Sequence, residues 1–221
     1  MSRIARIVVP DVPHHVTQRG NSRQVVFRDD QDRNRYMTFI RENARATGVK
    51  VLAYALMPNH VHHVVVPPSA TALAEMFRMT HLSFARVFNR RYGKSGHVWQ
   101  NRYFSCAMEP SHCYRAMRYV ELNPLKARLC NEVWGYVWSS AAYHCGLGNP
   151  DSVLDTSTTF ETRWGHEWNR YLEEKEADSD REELRYQTAS GRPWGGEQFL
   201  KFTEEATGRV LLPARPTEAE E

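Results

Sequence analysis

The sequence predicts an α+β chain of the ferredoxin-like type: a split β-α-β sandwich whose antiparallel sheet carries helices on one face, followed by a C-terminal helical extension. Three observations predict it. Two apolar runs, "VKVLAYALM" and "HVHHVVV", flank a turn at Pro58-Asn59 and read as an antiparallel hairpin. A stretch of helical periodicity lies on each side of that hairpin. One more strand-like run precedes the first helical stretch and another follows the second, which completes the order β-α-β-β-α-β.

In chain order, "PHHVTQRG" alternates as a first strand ending at Gly20, and "NSRQVVFRDDQD" is a charged connection. From about Asp30, "DQDRNRYMTFIRENARATG" sets Tyr36, Phe39 and Ile40 on one helical face and stops at Gly48. After the hairpin and "PPSA", "TALAEMFRMTHLSFARVFNRRYG" is a long amphipathic helix with Leu73, Met76, Phe77, Leu82, Phe84 and Val87 toward the core. "VWQNRYFSCAME" is the fourth strand, and "PSHCYRAMRYVELNPLKARL" opens on a Pro-Ser turn and continues as a helix. Beyond Trp134 the periodicity fades. One main domain is expected over 1–147, with 148–221 an acidic linker and a small helical region punctuated by Gly195 and Gly196.

The chain has 221 residues, 41% hydrophobic and 25% charged, the balance of an ordinary globular protein. No run approaches the roughly 18 consecutive apolar residues that span a bilayer. "MSRIARIVVPDVP" has too short an apolar stretch, and no small-residue cleavage site, for a signal peptide. A cytoplasmic protein with no membrane partner is expected. Cys106, Cys113, Cys130 and Cys145 form no C-x-x-C pair, which argues against a zinc knuckle and a disulfide scaffold.

Charge is unevenly spread. Residues 1–130 hold 20 Lys and Arg against 8 Asp and Glu, a surplus of +12; residues 131–221 hold 9 against 18, or −9, which together return the net +3. A basic body suits a polyanion such as nucleic acid, and a solvated basic surface equally. The acidic "YLEEKEADSDREELRYQ" reads as a solvated helix or linker, or as a mimic competing with DNA for the basic part.

His60 and His62 lie two apart in a strand and so face the same side, while Val61, His63 and Val65 face the other. Two imidazoles on one sheet face can converge on a metal ion with a third ligand from elsewhere, or one can cap the turn while the other is a satisfied polar residue. A His-φ-His-φ-His hydrolase motif would need histidine where Val64 stands, and a zinc protease would need helical spacing. In "RAMRYVELNPLKA", Tyr119 and Asn123 are four apart and share a helical face, with Arg115 a turn before and Lys126 just after. A tyrosine among cations is a candidate nucleophile toward a phosphodiester, and an asparagine oxygen suits a hard divalent cation. Equally, Asn123-Pro124 has the form of a helix start, with Tyr119 merely packed.

Together, "MPNHVHHVVVP" and "YVELNPLKA" resemble the His-hydrophobic-His signature and the Tyr-x-x-x-Asn-Pro segment of single-tyrosine HUH transposases, in particular the REP-associated tyrosine transposases of bacteria. "VTQRGNSRQVVF", "FNRRYGKSGHVWQNRYFS", "WSSAAYH" and "GRPWG" extend the resemblance, and His63 departs from it where an apolar residue is more usual. The resemblance implies that His60 and His62, with Asn123 as third ligand, bind Mg2+ or Mn2+. Tyr119 would attack a phosphate in single-stranded DNA and leave a 5′-phosphotyrosyl link and a free 3′-hydroxyl, with no small-molecule cofactor. The implied substrates are hairpins of repetitive extragenic palindromes. Arg90, Arg91, Lys94 and Arg102 read as phosphate contacts, joined by Arg115 and Lys126 beside the tyrosine. Arg19, Arg23 and Asn21, with Gln18, stand where base edges can be read, and Trp99 and Tyr103 are base-stacking or core residues. Two other classes are a hairpin-binding module without catalysis and a water-using metal phosphodiesterase. A monomer is expected, with a dimer as the alternative.

Overall fold

In the computed structural model, which describes residues 6–149, 151–156, 166–174 and 178–211, the strands are β1 (His14–Arg19), β2 (Lys50–Met57), β3 (His60–Val66) and β4 (Phe104–Ala107). They form one antiparallel sheet in the order β2-β3-β1-β4, the ferredoxin-like order the sequence predicts. In the β1–β3 register Thr17 stands opposite His62 and Arg19 opposite His60.

Helix α1 (Asp30–Thr47) begins beneath Asp29, whose carboxylate accepts the Asp32 N–H, and ends at Gly48 with φ of 69°, a left-handed angle that a β-carbon would strain. Helix α2 (Ala72–Tyr92) packs beside it. Tyr36 and Ile40 of α1 and Phe77, Phe84 and Phe88 of α2 close over Val16, Leu56, Val61 and Val65. Helix α3 (Pro110–Lys126) lies on the opposite face, against Leu52, Ala53, Ala55 and Val64. The fold class is the expected one, yet the helices take both faces of the sheet. The reason is visible in β3, whose valines point both ways, and a sheet apolar on both sides needs cover on both.

The C-terminal part supplies α4 (Ala141–His144), α5 (His166–Glu173), α6 (Asp178–Ser190) and α7 (Glu197–Thr207). Of the acidic stretch, residues 175–177 lie outside those described. Helix α6 packs on β4, β1 and α3. Among the described residues no helix is long and apolar enough to cross a membrane.

Three local expectations change. Leu82 is 44% exposed, and the buried ridge of α2 runs Leu73, Phe77, Thr80, Phe84, Phe88, from which Leu82 is offset by half a turn. The fourth strand is confined to Phe104–Ala107, because the Gln18 side-chain amide donates to the carbonyls of Gln100 and Asn101 and holds that approach as a turn, with Asn101 at φ of 50°. Helix α3 runs through Asn123-Pro124 instead of restarting there. The proline deletes one donor within the last turn, where little helix remains to be lost.

The core carries buried histidines. Burial pushes His14 down to about 4 and His15 and His63 to about 3. Their ordinary value is 6.5, so below it the unfolded chain takes up protons that the native chain refuses. The stabilisation is complete above that value and drains as pH falls toward the native values. In a melting series from pH 7 to pH 5 the stability is expected to fall by about 2 kcal/mol for each histidine, the slope approaching about 1.4 kcal/mol per pH unit at the acid end. Among the described residues neither nitrogen of His63 has a hydrogen-bond partner; its ring lies against Tyr36 and Phe77. His63→Phe is expected to raise stability by about 1 kcal/mol and to flatten the acid slope. An unchanged slope would show that His63 takes up its proton as readily in the fold as in the unfolded chain.

Candidate active site

The hairpin turn delivers His60 and His62 to the face of β3 that α3 covers, and Tyr119 meets them there. The His60 and His62 ring centroids lie 4.9 Å apart, and the Tyr119 ring is 5.5 Å from that of His62, edge to face. These three residues line one cavity of about 600 Å³ with Asn123 and Lys126 of α3, Arg19 and His15 of β1, and Arg185 of α6. The helical spacing of Tyr119 and Asn123 therefore brings both to the histidine pair. Asn123 Nδ2 donates to the Tyr119 carbonyl, which leaves its amide oxygen as the acceptor of that side chain.

Both imidazoles are held through Nδ1. That atom lies 2.6 Å from Asn59 Oδ1 in His60 and 3.0 Å from His15 Nε2 in His62. His15 Nδ1 in turn is 2.8 Å from Thr188 Oγ1 of α6. If His15 donates to Thr188, its Nε2 accepts from His62 Nδ1–H and the His62 Nε2 lone pair is available to a ligand; the reverse direction protonates Nε2. Burial, and then the charges of Arg19 and Arg185, push His60 down to about 4. Burial and the neighbouring His15 and His60 push His62 well below its ordinary value. Both rings are therefore neutral near pH 7, the form in which imidazole accepts a cation.

The basic residues are distributed. Arg19 and Lys126 line the cavity. Arg115 pairs with Asp180 of α6 at 3.4 Å. Asn21 and Arg23 sit in the short helical turn after β1, both exposed and outside the cavity lining. Arg90 and Lys94 are exposed at the end of α2, away from the cavity. Arg91 is engaged by Asp29 and Asp32, at 2.5 and 2.6 Å, and clasps the start of α1 to the end of α2. Arg102 lines a groove along α2 with Arg6, Arg78 and Arg86. Trp99 and Tyr103 are core residues: Trp99 Nε1 donates to the His81 carbonyl, and Arg6 lies over the Tyr103 ring.

Three residues of the site have no counterpart among the sequence expectations. His15 was legible in part, since alternation in "HHVTQR" puts His15, Thr17 and Arg19 on one face of β1. Arg185 and Thr188 carry no local signal; only the docking of α6 brings them in.

The sequence pattern of the IS200-like transposase family matches residues 8–123. A solved structure of a REP-associated tyrosine transposase bound to a REP hairpin superposes with a TM-score of 0.55 at 19% identity, covering 72% of this chain and 94% of that one. A transposase structure from Deinococcus radiodurans R1 aligns with a TM-score of 0.39 at 17% identity, over 54% of this chain and 96% of that one. No curated protein matches. The first superposition carries the fold, and the family pattern spans both the histidine strand and the helix of Tyr119 and Asn123, over more than half of the 221 residues. The chain belongs to the IS200-like transposase family.

Proposed function

We propose that this protein is a metal-dependent single-strand DNA endonuclease and strand transferase that nicks and rejoins hairpins of the REP type through Tyr119. The observation that carries the reading is the meeting, in one cavity, of Tyr119, the Asn123 amide and two neutral imidazoles whose Nδ1 atoms are already held. Likeness to a transposase that is itself bound to a REP hairpin supports the substrate, as does the surplus positive charge of residues 1–130.

The donor set fits Mg2+ or Mn2+. His60 and His62 would ligate through Nε2 and Asn123 through its amide oxygen. Among the described residues no group of three His, Cys, Asp or Glu residues is placed to hold a metal, so a protein donor beyond the two histidines would have to be a neutral oxygen such as that of Asn123. When bound, such an ion draws charge from the scissile phosphate and eases attack at phosphorus. The Tyr119 oxygen forms a bond to phosphorus as the bond from phosphorus to the 3′ oxygen breaks. The phenol proton passes to solvent, and the 3′ oxygen takes up a proton from solvent and departs as a hydroxyl. The phosphotyrosyl ester retains the energy of the broken bond, so a 3′-hydroxyl can reverse the step without a nucleotide cofactor. Arg19 and Lys126 draw the DNA backbone to the site.

End-labelled hairpin DNA with a single-stranded flank, incubated with Mn2+ and the protein, is expected to give a DNA-linked protein band on a denaturing gel. Tight hairpin binding without adduct or cleavage would overturn the enzymatic reading in favour of a binding module. His60→Ala and His62→Ala are each expected to weaken Mn2+ binding at least about tenfold by calorimetry and to remove the adduct. Unchanged Mn2+ affinity in both would place the metal elsewhere.

A further inference from the structure

We infer that Arg185, carried by helix α6 outside the family-matched segment, is a catalytic residue that holds the Tyr119 oxygen and the phosphate it attacks. The inference rests on the nicking reading above and names a group that reading does not contain. Arg185 Nε donates to Tyr119 Oη at 3.2 Å. Its guanidinium carbon lies over the Tyr119 ring, 5.7 Å from the ring centre, while Nε reaches the oxygen. It lines the same cavity as His60, His62 and Asn123.

The placement is built into α6. Leu184 and Thr188, four apart, form the inner face of the helix: Leu184 is buried in the core beneath α3, and Thr188 hydrogen-bonds His15. That seating leaves Arg185, three residues before Thr188, beside the nucleophile. The Arg115–Asp180 pair ties the start of the same helix to α3. Residues 8–123 match the family pattern, and all of α6 lies beyond them.

Arginine stays protonated at any working pH, so Arg185 cannot be the base that takes the phenol proton. Its role is electrostatic. With Nε on the tyrosine oxygen, the two terminal nitrogens of the fork remain to reach the non-bridging oxygens of the phosphate. As the oxygen–phosphorus bond forms and the bond to the 3′ oxygen breaks, the phenol proton passes to solvent, the departing 3′ oxygen takes one up from solvent, and in between negative charge spreads over the tyrosine oxygen and those phosphate oxygens. A donor already in place stabilises that charge without reorganising. Tyr119 therefore has a cation fixed to its oxygen before DNA arrives.

The test compares wild type, Arg185→Ala, Arg185→Lys and Tyr119→Phe for the single-turnover rate of adduct formation at saturating hairpin DNA with Mn2+, alongside hairpin affinity by fluorescence anisotropy. Arg185 is exposed, so its variants are expected to fold. The expected result is a loss of about a hundredfold in rate for Arg185→Ala, with partial recovery in Arg185→Lys and hairpin affinity little changed. An undiminished Arg185→Ala rate overturns the inference alone. A faster one does so too, and makes α6 a cover over the tyrosine. A wild type that binds the hairpin by anisotropy yet forms no adduct overturns the nicking reading and the catalytic role together, and a band that persists in Tyr119→Phe overturns Tyr119 as its source.

Discussion

Tyr119→Phe is expected to abolish the DNA-linked protein band while leaving hairpin binding intact. The substitution removes one oxygen. The ring that packs edge-on to His62 and His15, at 5.5 and 5.7 Å, is retained, so the cavity keeps its shape. The hydrogen bond lost is the one from Arg185, partly exposed, and its loss costs the fold no more than about 1 kcal/mol. Loss of the adduct in a protein that still melts and binds as the wild type therefore isolates the nucleophile. Two other outcomes are informative. DNA cleavage that persists in Tyr119→Phe would assign the chemistry to water and make the protein a metal phosphodiesterase. Binding without cleavage in both proteins would leave a hairpin-binding module.

The second large effect concerns stability. Glu121, two residues from Tyr119, is fully buried and its carboxylate has three partners: Ser140 Oγ and His144 Nδ1, each at 2.5 Å from Oε1, and Trp168 Nε1 at 2.8 Å from Oε2. These come from the turn before α4, from α4 and from α5, so one carboxylate fastens two C-terminal elements to α3. Glu121→Ala removes the carboxylate shared by three buried side chains and opens a cavity, and is expected to cost about 3–5 kcal/mol in urea denaturation. Glu121→Gln keeps the shape but turns one acceptor oxygen into a donor, and is expected to cost roughly half as much. A Glu121→Ala protein within about 1 kcal/mol of wild type would mean that water replaces the carboxylate and that α4 and α5 are not held through it.

Much of the molecule is local and was therefore legible. Strand alternation puts His60 and His62 on one face whatever the strand pairs with, and helical spacing puts Tyr119 and Asn123 on one face whatever the helix packs on. Glycine at the end of α1 and a Pro-Asn turn between β2 and β3 mark boundaries through backbone geometry that needs no tertiary partner. The order of strands follows from the order of elements. Leu82 and the length of the fourth strand were misread because a few residues of periodicity do not reveal which ridge meets the sheet, or that Gln18 reaches across to two carbonyls.

By itself, then, the sequence determined the ferredoxin-like order, the pairing of the two histidines and the pairing of Tyr119 with Asn123. Tertiary structure alone decided that these two faces look at each other, that α3 covers the side expected to be open, that Arg91 is taken up by Asp29 and Asp32, and that α6 places Arg185 on the tyrosine oxygen. The division has one physical cause. Periodicity states which way a side chain points from its own element, whereas what stands opposite depends on packing between segments such as Tyr119 and Arg185, 66 residues apart, and neither segment encodes the other's position.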